Sequence, residues 1–161
     1  MKKLLTLLLA LLMVFSLAAC DIEDSSQGSD SVDSVQNTIN TSLGDYEVEI
    51  KSCRLAEDYE GKPIAIITYG FTNNSENPSS FYISLEDEVF QNGIGLNKCY
   101  VADKSAKYDD SNMSKEIKKG STLDVEVAYI LNDTTTDLEV EVSELISFSD
   151  KKVTKTFKIS E

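Results

Sequence analysis

The chain has 161 residues, of which 28 are acidic and 15 are basic, and its formal net charge is −13. This charge repels phosphate backbones, which bind to clustered Lys and Arg side chains, so the composition excludes nucleic-acid binding. The sequence contains no histidine, and it therefore lacks the commonest general base, the commonest transition-metal ligand and the usual activator of a Ser or Cys nucleophile.

The first predicted element is a signal peptide. Two lysines precede an apolar run at residues 4–19, which is shorter than the roughly 20 residues that span a membrane. A cysteine directly after Leu17-Ala18-Ala19 resembles a bacterial lipobox, in which the signal is cut before the cysteine and the thiol receives a diacylglycerol. This resemblance implies a lipoprotein signal peptide at residues 1–19 and a lipid anchor on Cys20.

The same resemblance implies a location. The protein would be anchored in the cell membrane through Cys20, with its folded part on the extracellular face. The alternatives are an ordinary signal peptide with an incidental cysteine and an uncleaved anchor, and both still export the chain.

A flexible linker is predicted next. Residues 20–43 are rich in Ser, Asp, Asn and Gln, and their few apolar side chains are too sparse to make a buried face. Removing residues 1–19 from 161 would leave 142, about the size of one domain, with 28 acidic and 13 basic residues and a formal charge of −15. Because an anionic lipid surface repels this charge, the acyl group must provide the anchoring.

A single β domain is predicted for residues 44–161. Apolar and charged residues alternate at residues 46–51, and the alternation continues with shifted parity, which indicates a β-bulge near residues 51–52. Residues 64–72 are apolar on both faces of a strand, as is typical of a central strand.

A tight hairpin is predicted at Asn92-Gly93. This dipeptide separates two apolar runs, and both central residues of a type I′ turn need positive φ. Alternation at Phe81, Ile83 and Leu85 predicts another strand before the hairpin. Residues 103–119 are polar and form the longest predicted loop.

The clearest strand pattern lies at residues 121–131. A six-residue connection leads to the next strand at Leu138, and such a short connection predicts that the two strands pair antiparallel. The pairing would create a ladder of four outward-facing carboxylates, which makes stability sensitive to salt: Asp124, Glu126, Glu139 and Glu141. This face is either a solvated surface or a docking surface for a basic partner or divalent cations.

The overall strand count predicts the fold class. With two final segments at residues 145–148 and 153–159, the chain has about eight short strands, and no window keeps a helical period. Regularly spaced short strands are typical of an all-β sandwich.

Four motifs together resemble a domain-of-unknown-function family found in lipoproteins of Gram-positive bacteria. They are Asp58-Tyr59-Glu60-Gly61-Lys62, Thr68-Tyr69-Gly70-Phe71-Thr72-Asn73-Asn74-Ser75, Phe90-Gln91-Asn92-Gly93 and Ile117-Lys118-Lys119-Gly120. The resemblance covers residues 45–153. Such domains are similar to the immunoglobulin-like sandwich of a secreted mycobacterial antigen, so the resemblance implies an immunoglobulin-like antiparallel β-sandwich of about eight strands. It supplies no catalytic residues.

Two cysteines remain besides Cys20. Cys53 and Cys99 could form a disulfide in an exported chain, or they could be two buried thiols that act as small hydrophobic side chains. Their spacing does not decide between the two alternatives.

No catalytic, cofactor or metal site is predicted. The acidic cluster at Asp109-Asp110-Ser111-Asn112 lacks the spacing of a calcium loop, which favours a solvated loop. We therefore expect a non-catalytic surface lipoprotein that binds a protein or cell-wall partner as a binding or adhesion module. The alternative is a structural accessory of the cell envelope that holds a partner protein near the membrane.

Overall fold

The computed structural model describes residues 41–100 and 106–159, which contain two antiparallel β-sheets. The first sheet consists of β1 (Ser42–Leu43), β2 (Tyr46–Glu57), β3 (Pro63–Asn73), β7 (Ser121–Ile130) and β6 (Lys98–Cys99), in that spatial order. The second consists of β5 (Ile94–Gly95), β4 (Leu85–Gln91), β8 (Leu138–Glu144) and β9 (Lys152–Phe157). A single-turn helix, α1 (Phe81–Ser84), leads into β4. The predicted signal peptide, Cys20 and most of the predicted linker lie outside the described residues.

The main core lies between the two sheets. Its largest side chains are aromatic, and the rings of Phe71 and Phe81 pack edge to face with centroids 6.0 Å apart. Aliphatic side chains from β2, β3 and β7 meet those from β4, β8 and β9 across this layer. The arrangement confirms the predicted all-β sandwich.

Strands β2 and β3 follow the sequence pattern closely. The register between them shifts between Ile50 and Ser52, which confirms the predicted bulge. β3 pairs with β2 on one side and with β7 on the other, and most of its side chains are buried on both faces. It is therefore the central strand that its apolar run predicts.

The hairpin between β4 and β5 is also confirmed. Asn92 and Gly93 have φ angles of 50° and 73°, and Gln91 pairs with Ile94. Two successive positive φ angles are the conformation of a type I′ turn.

Replacing Gly93 with valine should lower the free energy of unfolding by about 1–3 kcal/mol, because a β-branched residue is strained at positive φ. No atom would contact a new Cβ at this position, so the loss would report backbone strain alone. Urea unfolding of Gly93→Val and of the matched control Gly95→Val, whose φ is ordinary, measures the difference. Equal losses in the two variants would contradict the turn assignment.

The predicted pairing of β7 with β8 is wrong. β7 pairs with β3 and β6, whereas β8 pairs with β4 and β9 in the other sheet. The connection between them crosses from one sheet to the other, so Asp124 and Glu126 do not face Glu139 and Glu141. The predicted carboxylate ladder does not form, and like charges instead meet where Glu88 lies opposite Glu141 on β4 and β8.

The crossing connection is held by one buried glutamine. The Gln91 amide nitrogen donates to the carbonyls of Asp133 and Thr136, both at 3.0 Å, and its oxygen accepts from the backbone nitrogen of Asn132 at 2.8 Å. Within the connection, the Asp133 carboxylate accepts from the backbone nitrogens of Thr135 and Thr136. These hydrogen bonds lower the pKa of Asp133 to about 2.

Three predicted boundaries need correction. Leu43 is not part of a linker, because β1 pairs with β2 and the Leu43 side chain is buried in the main core. Phe81–Ser84 is a helical turn rather than a strand. Residues 145–148 form bends rather than a strand, and only the last predicted strand is present as β9.

The two cysteines lie on one sheet but far apart. Cys53 on β2 and Cys99 on β6 are separated by β3 and β7, which corresponds to about 14 Å, whereas bridged Cα atoms lie within about 7 Å. A disulfide between them is therefore not formed. Burial raises the pKa of the Cys53 thiol to about 11, so this thiol is a weak nucleophile.

Candidate functional site

Large hydrophobic side chains are exposed together at the end of the sandwich where β4 begins and β8 ends. Tyr82 and Ile83 lie on α1, and Leu145, Ile146 and Phe148 lie in the turn between β8 and β9. We call these five residues the apolar end. Phe148 is fully exposed and Ile146 is 83 % exposed. Single exposed hydrophobic side chains are ordinary on a protein surface, whereas several at one end of a domain indicate an interaction surface.

The helical turn is fixed in place by buried polar contacts. The hydroxyls of Ser79 and Ser84 are hydrogen-bonded at 2.7 Å, and the backbone nitrogen of Tyr82 donates to the carbonyl of Met113 at 3.0 Å. Phe81 points into the main core. Since Phe81 is anchored inside, its neighbours Tyr82 and Ile83 are held outside.

A loop organised by Asn73 supports the same turn. The buried Asn73 amide nitrogen donates to the carbonyls of Asn77 and Ile117, at 2.9 and 2.8 Å. The backbone nitrogens of Ile117 and Ser79 each donate to the carbonyl of the other residue, and Ser79 lies just before α1. The exposed side chains of α1 are therefore presented by an ordered backbone.

The turn after β8 lies beside α1. The backbone nitrogen of Leu145 donates to the carbonyl of Ser84 at 3.0 Å, which brings Leu145 next to the helical turn. A depression of about 260 Å³ lies between the two segments, and Leu145, Tyr82, Ile83 and Met113 contribute to its walls.

A buried ion pair also borders the depression. The Lys98 ammonium lies 2.6 Å from a carboxylate oxygen of Asp87, whose side chain is 2 % exposed. The Tyr129 hydroxyl donates to the other carboxylate oxygen. Burial raises the pKa of Tyr129 far above its ordinary value, so the hydroxyl remains a donor at any physiological pH. The pair joins β4 to β6 and β7, and it thereby connects the two sheets.

A second cavity, of about 330 Å³, lies along the edge of β2. Val48 and Ile50 reach it from the inner face of β2, and Glu47 and Glu49 reach it from the outer face. Val153, Thr154 and Lys155 of β9 form its far side. The cavity therefore wraps around the edge of β2, and we call it the edge groove.

The outer face of the first sheet is partly covered. Ile64, Ile66, Cys99 and Ala128 form a second small core beneath Ala106. The Arg54 guanidinium donates to the carbonyl of Ala106 at 2.5 Å and pairs with Glu126 at 3.1 Å. This coverage removes most of the apolar outer face from solvent.

The predicted acidic cluster has local partners. The Asp109 carboxylate accepts from the backbone nitrogen of Ser111 at 2.9 Å, and Asn112 donates to the carbonyl of Asp124 at 2.9 Å. Among the described residues, no group of three or more Cys, Asp or Glu side chains is placed to hold a metal ion. No described helix is long and apolar enough to span a bilayer.

Sequence reasoning missed the apolar end. It assigned Phe81, Ile83 and residues 145–148 to strands, which would have buried half of these side chains. The available signal was the Ile146-Ser147-Phe148 segment, which carries bulky apolar residues next to Ser149-Asp150-Lys151, a typical turn composition.

The two packed antiparallel sheets define a domain of the immunoglobulin-like β-sandwich class. The chain belongs to the family described as Domain of unknown function (DUF5067), whose sequence profile matches residues 21–144. No curated protein matches the chain.

Two solved structures share the fold. A candidate lipoprotein from Staphylococcus aureus subsp. aureus NCTC 8325 is 18% identical, with a TM-score of 0.54 over 71% of this chain and 84% of the other. A protein from Enterococcus faecalis, solved by NMR, is 18% identical, with a TM-score of 0.52 over 73% of this chain and 87% of the other. The likeness to a mycobacterial antigen stays a prediction.

Proposed function

We propose that this protein is a lipoprotein of the outer cell surface, anchored through Cys20, and that its sandwich is a non-catalytic binding module. In this proposal the apolar end docks onto a partner protein. The observation that carries the proposal is the exposure of Tyr82 and Ile83 beside the depression, together with that of Ile146 and Phe148 in the turn that contains Leu145, in a strongly acidic chain. The lipobox-like sequence and the candidate lipoprotein among the structural relatives support the anchor.

The size of the depression favours a protein partner over a small molecule. Its volume of about 260 Å³ is below the range of about 300–1,000 Å³ that is usual for small-molecule sites. It can accept one or two side chains of a partner, while the exposed Phe148 and Ile146 would add apolar contact area in the turn that contains Leu145.

The charges near the apolar end favour a partner with a basic rim. Glu86 borders the depression and Glu144 ends β8 just before Leu145. With the net charge of −13, these carboxylates would attract a positively charged surface and repel acidic ones.

The docking hypothesis is tested by capture from cell-surface extract with three forms of the protein. The parent chain should retain a partner, and the double variant Ile146→Asp, Phe148→Asp should lose it, because two carboxylates replace the apolar contact area. The matched control is Ile94→Asp, which alters an exposed isoleucine on the hairpin at the opposite end of β4.

A protein retained by the parent and by Ile94→Asp but lost by the double variant would support the proposal. Equal capture by all three forms would place the binding surface elsewhere. If the retained partner is an envelope protein of the same cell, the chain is a structural accessory rather than an adhesion module.

The anchor is tested separately by Cys20→Ser. This variant should leave the membrane fraction and appear in the medium or accumulate as an unprocessed precursor, because the thiol that accepts the lipid is absent. A variant that is still cleaved before residue 20 and stays in the membrane fraction would place the anchor elsewhere.

A further inference from the structure

We propose that the folded chain joins Lys98 to Asp87 through an amide bond and thereby links the two sheets covalently. The chain folds with the ion pair between these two residues, and the amide forms from it afterwards, slowly, with loss of one water molecule. The proposal is independent of the function proposed above.

The first argument is the burial of the carboxylate. The Asp87 side chain is 2 % exposed, whereas the carboxylates of the other ion pairs in residues 41–100 and 106–159 are 24–83 % exposed. Two charges that leave water lose much of their hydration free energy, and their mutual attraction often does not repay that cost. Because an amide is neutral, the condensation removes both charges from between the sheets.

The second argument is the position of the amine. Lys98 lies opposite Tyr129 in the ladder between β6 and β7, and opposite residues share a face of the sheet, so its side chain points between the sheets. Its nitrogen lies 2.6 Å from the Oδ1 atom of Asp87. Since Cγ is one bond beyond this oxygen, the nitrogen is close to the separation of about 3–3.5 Å at which positioned groups react. Groups held in this way can react as if their concentration were roughly 10⁵–10⁸ M.

The third argument is the pair of hydroxyl groups near the carboxylate. The Tyr129 hydroxyl donates to Oδ2 of Asp87, whereas Lys98 donates to Oδ1. The Tyr69 hydroxyl is also buried, and it has no hydrogen-bond partner in the part of the chain that the structure describes. Burial first, and the Asp87 charge next, raise the pKa of Tyr69 well above its ordinary value, so this hydroxyl lies near the carboxylate. Donors placed where negative charge develops stabilise the transition state of acyl transfer.

The condensation needs no oxidant, reductant or cofactor. A proton passes from the Lys98 ammonium to Oδ1 of Asp87, and the resulting amine attacks Cγ. The C–N bond forms while the C=O electron pair moves onto Oδ2, where the Tyr129 hydroxyl stabilises the negative charge. The electron pair then returns, a second proton passes from the nitrogen to Oδ1, and the C–Oδ1 bond breaks to release water. The water can leave through the depression, whose walls include both Asp87 and Lys98.

The bond is tested by mass spectrometry of the full chain, purified under native conditions and incubated in the folded state for several days. Trypsin cleaves the unmodified chain after Arg54 and Lys98, and it does not cleave after Lys62, which precedes a proline. An acylated Lys98 is not cleaved, so digestion continues to the next site, after Lys104. The crosslinked chain should therefore yield residues 55–104 as one peptide that lacks one water molecule.

Controls separate this bond from other losses of water. Lys98→Arg keeps the positive charge but presents a guanidinium that stays protonated, so its peptide 55–98 should retain the full mass. The parent incubated in concentrated urea should not react, because unfolding separates the two groups. The Lys51–Asp124 pair has a similar nitrogen–oxygen distance of 2.5 Å, but its carboxylate is 59 % exposed, and it should stay unlinked.

The role of the hydroxyl is measured with Tyr129→Phe, which removes one oxygen atom. The rate of crosslinking should fall by about 10²-fold, the lower end of the effect of one such donor in acyl transfer. An unchanged rate would contradict the role assigned to Tyr129.

A dehydrated 55–104 peptide in the folded parent that is absent from Lys98→Arg and from the unfolded parent would support the proposal. A folded parent that yields only the unmodified 55–98 peptide would overturn it. A dehydrated 55–98 peptide would also overturn it, because Asp87 would then have cyclised onto its own backbone. Equal crosslinking of Lys51 to Asp124 would contradict the proposal as well, since burial would then not select the site.

Discussion

Replacing Lys98 with methionine should lower the free energy of unfolding at neutral pH by about 3 kcal/mol, and this is among the largest single effects that we expect. The Asp87 side chain is 2 % exposed and would lose its counterion, which costs about 3–5 kcal/mol for a fully buried pair. The lower end of that range applies because the Lys98 side chain keeps 29 % exposure. Methionine retains the apolar stem of the lysine side chain, so the decrease in the free energy of unfolding measures the effect of removing the charge.

Chemical unfolding of the parent, Lys98→Met and the control Lys115→Met would measure this effect. Lys115 is an exposed lysine near α1 whose removal should change stability by less than about 0.5 kcal/mol. Adding Asp87→Leu to Lys98→Met should recover part of the loss, because a matched apolar pair replaces an unpaired charge. If the single variant is as stable as the parent, the ion pair does not hold the sheets together.

The position of Asp87 shows what the sequence does and does not reveal. The alternation of Leu85, Asp87, Val89 and Gln91 places all four side chains on the inner face of β4, and the structure buries all four. The alternation of apolar and polar residues therefore predicts which face of the strand each side chain occupies. It does not predict the partner, because Lys98 and Tyr129 reach Asp87 from strands of the other sheet.

Local turn chemistry was predictable for a similar reason. Asn92-Gly93 and the shifted parity after Ile50 depend on backbone conformations that a few neighbouring residues determine, and the structure has both features. The alternation at Phe81 and Ile83 was misleading, because four residues are too few to distinguish a strand from one helical turn. This ambiguity hid the two residues that α1 contributes to the apolar end, Tyr82 and Ile83.

The assignment of strands to sheets was not predictable. A six-residue connection is long enough for either a hairpin or a crossing between sheets, and its polar residues fit both. The deciding contact is between Gln91 and the connection, residues that are more than 40 positions apart. Contacts of this kind leave no periodic signal in the sequence.

The Gln91 contact leads to the second large expected effect. Replacing Gln91 with leucine should lower the free energy of unfolding by about 3 kcal/mol. The side chain is 1 % exposed, and its loss leaves the carbonyls of Asp133 and Thr136 and the backbone nitrogen of Asn132 without this partner. A buried polar group that loses its partner costs about 1–3 kcal/mol, and because these three hydrogen bonds are only partly buried, water that enters the opened site offsets part of the sum. Thr134→Leu, at an exposed position of the same connection, is the matched control and should be nearly neutral.

Gln91→Glu makes the same contact sensitive to pH. A carboxylate at this position would face the carbonyls of Asp133 and Thr136, so burial and these oxygens would raise the pKa of the introduced carboxyl in the folded state above its ordinary value of about 4.3. A carboxyl with a raised folded-state pKa stabilises the fold below its ordinary pKa and loses that contribution as the pH rises. The variant should therefore be closest to the parent near pH 4 and fall progressively below it towards pH 7, whereas Gln91→Leu should show a constant deficit. Unfolding midpoints of the three proteins across this range decide the matter, and a Gln91→Glu deficit that does not change with pH would mean that the side chain does not face the two carbonyls.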